Sequence, residues 1–232
     1  MAQQRAKPKT ARTRTKFDNG KAPITLTPLN TNQRSYISAL DTSDQVIVFG
    51  PAGTGKTYVV SSYAANAYHM KEIDKIVITR PHVSVGKEIG FLPGTLEEKS
   101  APWALPVLDV LEKQLGKGVV ETALKAGNIE VAPLALMRGR SFERAFVICD
   151  EAQNITLAEL KMLVTRIGAG SKLVLNGDIQ QSDLKEESGL KKIVHLTKKH
   201  MLPIPIVEFT LKDIVRSDIC RLWIETFTAE GI

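Results

Sequence analysis

The stretch Gln45-Val-Ile-Val-Phe-Gly50-Pro51-Ala52-Gly53-Thr54-Gly55-Lys56-Thr57 decides the fold class. Its apolar first half reads as a buried strand. The next eight residues match G-x-x-x-x-G-K-[ST], and a helical pattern follows, which is the context that gives the motif meaning. Glycines there let successive backbone N–H groups turn inward into an anion nest. The helix N-terminus behind them adds roughly half a positive charge. Gly50, Pro51, Ala52, Gly53, Thr54, Gly55, Lys56 and Thr57 are therefore candidate phosphate-binding residues. Lys56 is placed to reach β- and γ-phosphates, and the Thr57 hydroxyl to bind Mg²⁺.

Working outward, short β-branched runs alternate with longer helical patterns. Strands are predicted at 45–50, 75–80, 128–132, 145–150, 172–177 and 206–210, and helices near 31–40, 56–70, 103–126, 156–167, 188–199 and 213–230. The strand runs are mostly continuous rather than alternating, as expected when both faces of a sheet are covered. This alternation implies an α/β fold, a three-layer sandwich around a mainly parallel central sheet. Thr156-x-x-Glu159 reads as a capping box at the start of one helix.

Two further strand ends carry polar groups. Ala145-Phe-Val-Ile-Cys-Asp150-Glu151 ends in adjacent carboxylates, and ligands of open parallel sheets sit beyond the carboxyl ends of strands. Asp150 is the candidate for the Mg²⁺ shell, and Glu151 for orienting and deprotonating an attacking water. Lys172–Gly177 runs into Asp178-Ile-Gln-Gln181, where a polar side chain can sense the γ-phosphate; Asp178 and Gln181 are the stronger candidates and Asn176 the weaker. Upstream, Gln33 carries donor and acceptor together and suits an adenine edge, though an ordinary helix cap explains it nearly as well.

Composition narrows the classes. The 232 residues are 43% hydrophobic and 24% charged, enough for one sizeable core. The net charge of +6 sits entirely in residues 1–21, which hold seven basic side chains and one acidic one; the rest balances at 24 of each. The N-terminal stretch to about residue 22 has one aromatic and no branched aliphatic residue, so it reads as a disordered basic tail. Such an arm suits salt-sensitive contact with phosphate backbones or plain solubilisation. Residues 23–232 read as one domain. No run approaches the ~18 apolar residues of a membrane helix, and no apolar h-region follows the tail's charges. Cys149 and Cys220 lack metal-ligand spacing and read as reduced thiols, consistent with a cytoplasmic protein.

The chain resembles the PhoH-like family, whose core is similar to the first motor domain of superfamily-one helicases and hence to RecA-like P-loop NTPases. The resemblance rests on Thr79-Arg80-Pro81, Gly90-Phe-Leu-Pro-Gly94, Val131-Ala-Pro-Leu-Ala135, Met137-Arg-Gly-Arg140, Asp150-Glu-Ala-Gln-Asn154, Lys161-Met162, Thr165-Arg166 and Gly177-Asp178-Ile-Gln-Gln181. It implies ATP binding and hydrolysis with Mg²⁺, a homo-oligomeric ring with a hexamer as the expected form, and single-stranded RNA or DNA as a partner. Longer members carry a nuclease domain, for which these 232 residues leave no room, so no nuclease activity is expected. Two departures stand out: Ala101-Pro-Trp-Ala-Leu105 replaces D-P-Y-L-R, and Ser217-Asp218 follows Val215-Arg216 where His-Pro is usual.

A single motor domain leaves the γ-phosphate short of a cation, and an arginine there is worth roughly 10³–10⁵ in rate. Arg216 from a neighbouring subunit is the first candidate, with Arg138 and Arg140 next. Lys191, Lys192, Lys198, Lys199 and His200 form a basic cluster that reads first as a solvated helix face. Trp103 and Trp223 are expected to be buried rather than free to stack on bases. Two other functional classes compete: a non-motor ATP-binding module with slow turnover, and a small-molecule kinase, against which the absence of an arginine-rich lid argues.

Overall fold

The computed structural model describes residues 22–81, 96–184 and 187–230, with the backbone alone over 96–101. Most of the N-terminal tail and the Gly90–Gly94 stretch lie outside the described residues. Six strands form one all-parallel sheet: β1 (Gln45–Phe49), β2 (Lys75–Thr79), β3 (Ile129–Val131), β4 (Ala145–Cys149), β5 (Lys172–Gly177) and β6 (Ile206–Glu208), in the order β3-β2-β4-β5-β1-β6. All six expected strands are present, and the sheet is wholly rather than mainly parallel.

Alternation along each strand feeds two cores. Val46 and Val48 of β1, Ile76 and Ile78 of β2, and Phe146 and Ile148 of β4 face one layer, formed by α1 (Thr31–Thr42), α2 (Lys56–His69), α3 (Leu96–Leu115) and α4 (Lys117–Lys125). Ile47, Phe49, Val77, Val147 and Leu173 face the other, covered by α5 (Leu157–Val164) and α6 (Gly189–Lys199). A sheet apolar on both faces needs both layers, so the three-layer RecA-like sandwich follows from continuous apolar strands.

Four details differ from the expectation. The helix expected at 103–126 is two helices, because the chain turns at Gly116 with φ 89° and ψ 141°, a conformation open to glycine. Pro102 and Pro106 lie within the first of them. The helix expected over 156–167 stops at Val164, although its capping box is formed as expected. The last helix, α7 (Asp218–Glu230), starts five residues late, after a 3₁₀ turn over Leu211–Asp213 capped by Thr210. Trp103 packs half-buried against the first core, whereas Trp223 on α7 is 54% exposed. No described helix is long and apolar enough to cross a membrane.

Because β4 and β5 insert between β1 and β2, the carboxyl ends of β1, β5 and β4 stand side by side. The phosphate-loop candidate therefore shares one rim with the acidic pair.

Candidate functional site

The Gly50–Thr57 loop leaves β1 and enters α2 at Lys56, with Gly55 in the left-handed conformation just before it. Two backbone bonds pin it: Gly50 N–H donates to Gly177 O at 3.2 Å, and Val215 N–H donates to Gly53 O at 3.0 Å. Gly53 has φ +79°, and a Cβ there would stand 2.8 Å from Cγ of Arg216, so only glycine fits without displacing that arginine. Lys56 folds back over the loop, its Nζ donating to Gly50 O at 2.6 Å and Pro51 O at 2.8 Å. Burial pushes its pKa down, and the charges of Asp178, Asp150 and Glu151 oppose that shift. The ammonium thus lies over the loop within the field of three carboxylates.

Asn176 brings together Thr57 and Asp150, the two residues expected near a Mg²⁺ ion. Its Nδ2 donates to Asp150 Oδ1 at 2.6 Å and to Thr57 Oγ1 at 3.1 Å. Asn176 Oδ1 is buried with no hydrogen-bond partner among the described residues. Burial and the neighbouring Glu151 push Asp150 up to about 6, opposed by Glu151's backbone N–H, Arg80 and Asn176. Arg80 follows β2, and Asp150 N–H donates to the adjoining Thr79 O at 3.0 Å. The Thr57 hydroxyl and the half-buried Asp150 carboxylate are both hard oxygens. They fit Mg²⁺, which takes one or two protein ligands and completes its octahedron with water and phosphate. No cluster of three His, Cys, Asp or Glu side chains suited to a metal occurs among the described residues.

Glu151 sits at φ 51°, ψ 39°, a left-handed turn directly after the strand. Gln153 fixes its carboxylate: Nε2 donates to Glu151 Oε2 at 2.5 Å, while Oε1 accepts the Asp178 N–H at 3.0 Å. Gln153 is buried, and Ser182 and Ser188 donate to its carbonyl. One side chain therefore ties the end of β4 to the end of β5. Gln153, Arg80 and the bridging role of Asn176 were not among the expectations from sequence. The spacing of Asp150-x-x-Gln153 was a visible signal, but its partner on β5 was not.

The remaining candidates fall as follows. Asp178 is buried near Lys56 and caps the short turn that follows, whereas Gln181 at the end of that turn is exposed. Gln33 lies beneath the loop, with Nε2 donating to Thr54 O at 3.0 Å and Oε1 accepting the Leu29 N–H at 2.9 Å. Arg216, the candidate for a contact with a neighbouring subunit, lies against Gly53 of its own loop, beside the Val215–Gly53 bond. Arg140 pairs with Glu130 through both terminal guanidinium nitrogens and lies 5.1 Å over Phe142. Arg138 stays exposed. A cavity of about 260 Å³ opens among Gly53, Lys56, Thr57, Tyr58, Val215 and Arg216.

A family model described as "PhoH-like protein" matches residues 25–228. A PhoH-like protein of Mycobacterium tuberculosis (strain H37Rv) is 44% identical over 194 residues, covering 83% of this chain and 55% of that protein. A PhoH-like protein of Bacillus subtilis is 43% identical over 202 residues, covering 86% and 63%. Protein PhoH of Escherichia coli K12 is 39% identical over 203 residues, covering 86% and 57%. The chain thus spans little more than half the length of these curated relatives.

Proposed function

The chain belongs to the PhoH-like family, and on that premise we propose that it is a Mg²⁺-dependent ATPase, acting as a cytoplasmic ring-forming oligomer on single-stranded RNA or DNA. One observation carries the chemistry: Asn176 holds the Thr57 hydroxyl and the Asp150 carboxylate together beside a loop whose lysine already faces three acids. Thr57 and Asp150 would hold the ion, which when bound offsets charge on the phosphate oxygens. With nucleotide bound, the Lys56 ammonium would exchange the Gly50 and Pro51 carbonyls for phosphate oxygens. Loop amides between Ala52 and Thr57 bind the β-phosphate region, since Pro51 has no N–H and that of Gly50 is bonded to Gly177 O. Glu151, oriented by Gln153, takes a proton from the attacking water, and Gln181 lies on the turn positioned to respond to the γ-phosphate. Arg216 supplies its charge in cis from the cavity rim. Gln33 braces the loop through Thr54, and its remaining N–H and lone pair suit an adenine edge.

The test is nucleotide binding and single-turnover hydrolysis on wild type, Lys56→Ala and Glu151→Gln, with and without single-stranded RNA. Lys56→Ala is expected to lose binding. Glu151→Gln is expected to keep binding and lose roughly 10²–10⁴ in hydrolysis rate, the range for one general base. Unchanged hydrolysis in Glu151→Gln refutes the assignment. A slow wild-type rate that RNA does not raise favours an ATP-binding regulatory module.

A further inference from the structure

The apolar side of α7 faces away from the other described residues. Cys220, Arg221 and Ile224 turn inward, and Arg221 donates to Ile214 O at 2.6 Å. Ile219, Leu222, Trp223 and Phe227 recur at i, i+3, i+4 and i+8 on the outer face, 47–61% exposed, with Trp223 and Phe227 stacked at 5.5 Å. At ~150–250 Å² per aromatic side chain this amounts to on the order of 400 Å² of apolar surface. Patches of that size on otherwise polar surfaces mark binding sites. Acids flank it: Asp218, Glu225 and Glu230 against the single, internally bonded Arg221.

A second exposed patch has the opposite charge. α6 contains no acidic residue and ends in Lys198, Lys199 and His200, followed by Met201 at 89% exposure and Leu202 at 43%. The two patches lie at opposite edges of the sheet. α6 starts beyond the carboxyl end of β5 and returns to the amino edge, where Pro205 O accepts the Ile47 N–H. α7 instead follows Val215 and Arg216 at the carboxyl edge, on the cavity rim.

We infer that α7 of one copy docks on the Lys198–Leu202 end of α6 of a second copy, apolar centre to apolar centre and acids to lysines. Surfaces at opposite edges make this a heterologous, head-to-tail contact, which closes into a ring when the rotation permits. Pairing α7 with α7 would set three acids against three acids, and the same acids repel a nucleic-acid phosphate from Trp223. The contact goes beyond the ATPase reading by naming surfaces, and it rests on that reading's oligomer but not on its chemistry.

The experiment is sedimentation velocity of the full chain over a concentration series, with folding followed by circular dichroism. Wild type and Lys56→Ala should both associate, so a failed nucleotide assignment leaves the contact standing. Trp223→Glu and the double variant Met201→Glu/Leu202→Glu should each sediment as monomers. Mixed, they should form a heterodimer, because each retains one intact surface. If Trp223→Glu does not fold, Glu225→Lys should weaken association and adding Lys198→Glu to it should restore it. Monomeric wild type overturns the inference. So do α6-end variants that assemble normally, which would leave α7 paired with itself or covered by its own chain.

Discussion

Asn176 and Gln153 show how one buried amide can organise a site made from separate strands. Each offers a donor to a carboxylate, and Gln153 also accepts the Asp178 N–H with its other pole. Removing Gln153 frees Glu151 in a strained left-handed turn without touching the Gly50–Thr57 loop. Gln153→Ala is therefore expected to lower kcat at least tenfold while KM for ATP moves less than about threefold, as measured by steady-state phosphate release. Asp150 makes a pH prediction. Its carboxyl titrates near 6 in the fold against an ordinary value near 4, so the folded state binds the proton more tightly. Below about pH 4 both states are protonated and nothing is lost. As pH rises through 6, the charged form costs the nucleotide-free fold up to ~3 kcal/mol. Asp150→Asn should then raise Tm by several degrees at pH 8, with the gain fading towards pH 4, in thermal melts without nucleotide. The phosphate-loop residues and acids were legible at this scale because they are contiguous in sequence. The bridging amides were not, because a hydrogen bond between strand ends leaves no local pattern.

Elements were legible wherever burial dictated composition. The six strands are runs of Val, Ile, Leu and Phe because the sheet is covered on both faces, and α5 announces itself through Thr156 and Glu159. The misreading at 103–126 has a definite cause: helical periodicity continues across Gly116 while the backbone does not. Gly116 takes φ 89° with nothing within 4 Å of a Cβ, so substitution costs backbone strain alone. Gly116→Ala should destabilise the fold by roughly 1–3 kcal/mol, with catalysis per folded molecule unchanged, by urea titration and ATPase assay. α7 was legible as a helix but not as an exposed one, since its apolar spacing is the same whether it faces a core or a partner.

For the whole molecule, charge separates into a basic N-terminal stretch and a balanced domain. Deleting residues 1–21 should leave ATP hydrolysis and the melting temperature intact while reducing both affinity for single-stranded RNA and its salt dependence. Filter binding across a salt series reads both. The sequence by itself determined the α/β class, the phosphate loop and the acidic pair, because each depends on contacts within a few residues or on how much apolar surface a strand must bury. Only the tertiary structure decided that Arg216 lies over its own loop, that Arg140 belongs to Glu130, and that Asn176 and Gln153 stitch the site together. Those outcomes depend on strand order, and the order β3-β2-β4-β5-β1-β6 sets which distant residues become neighbours.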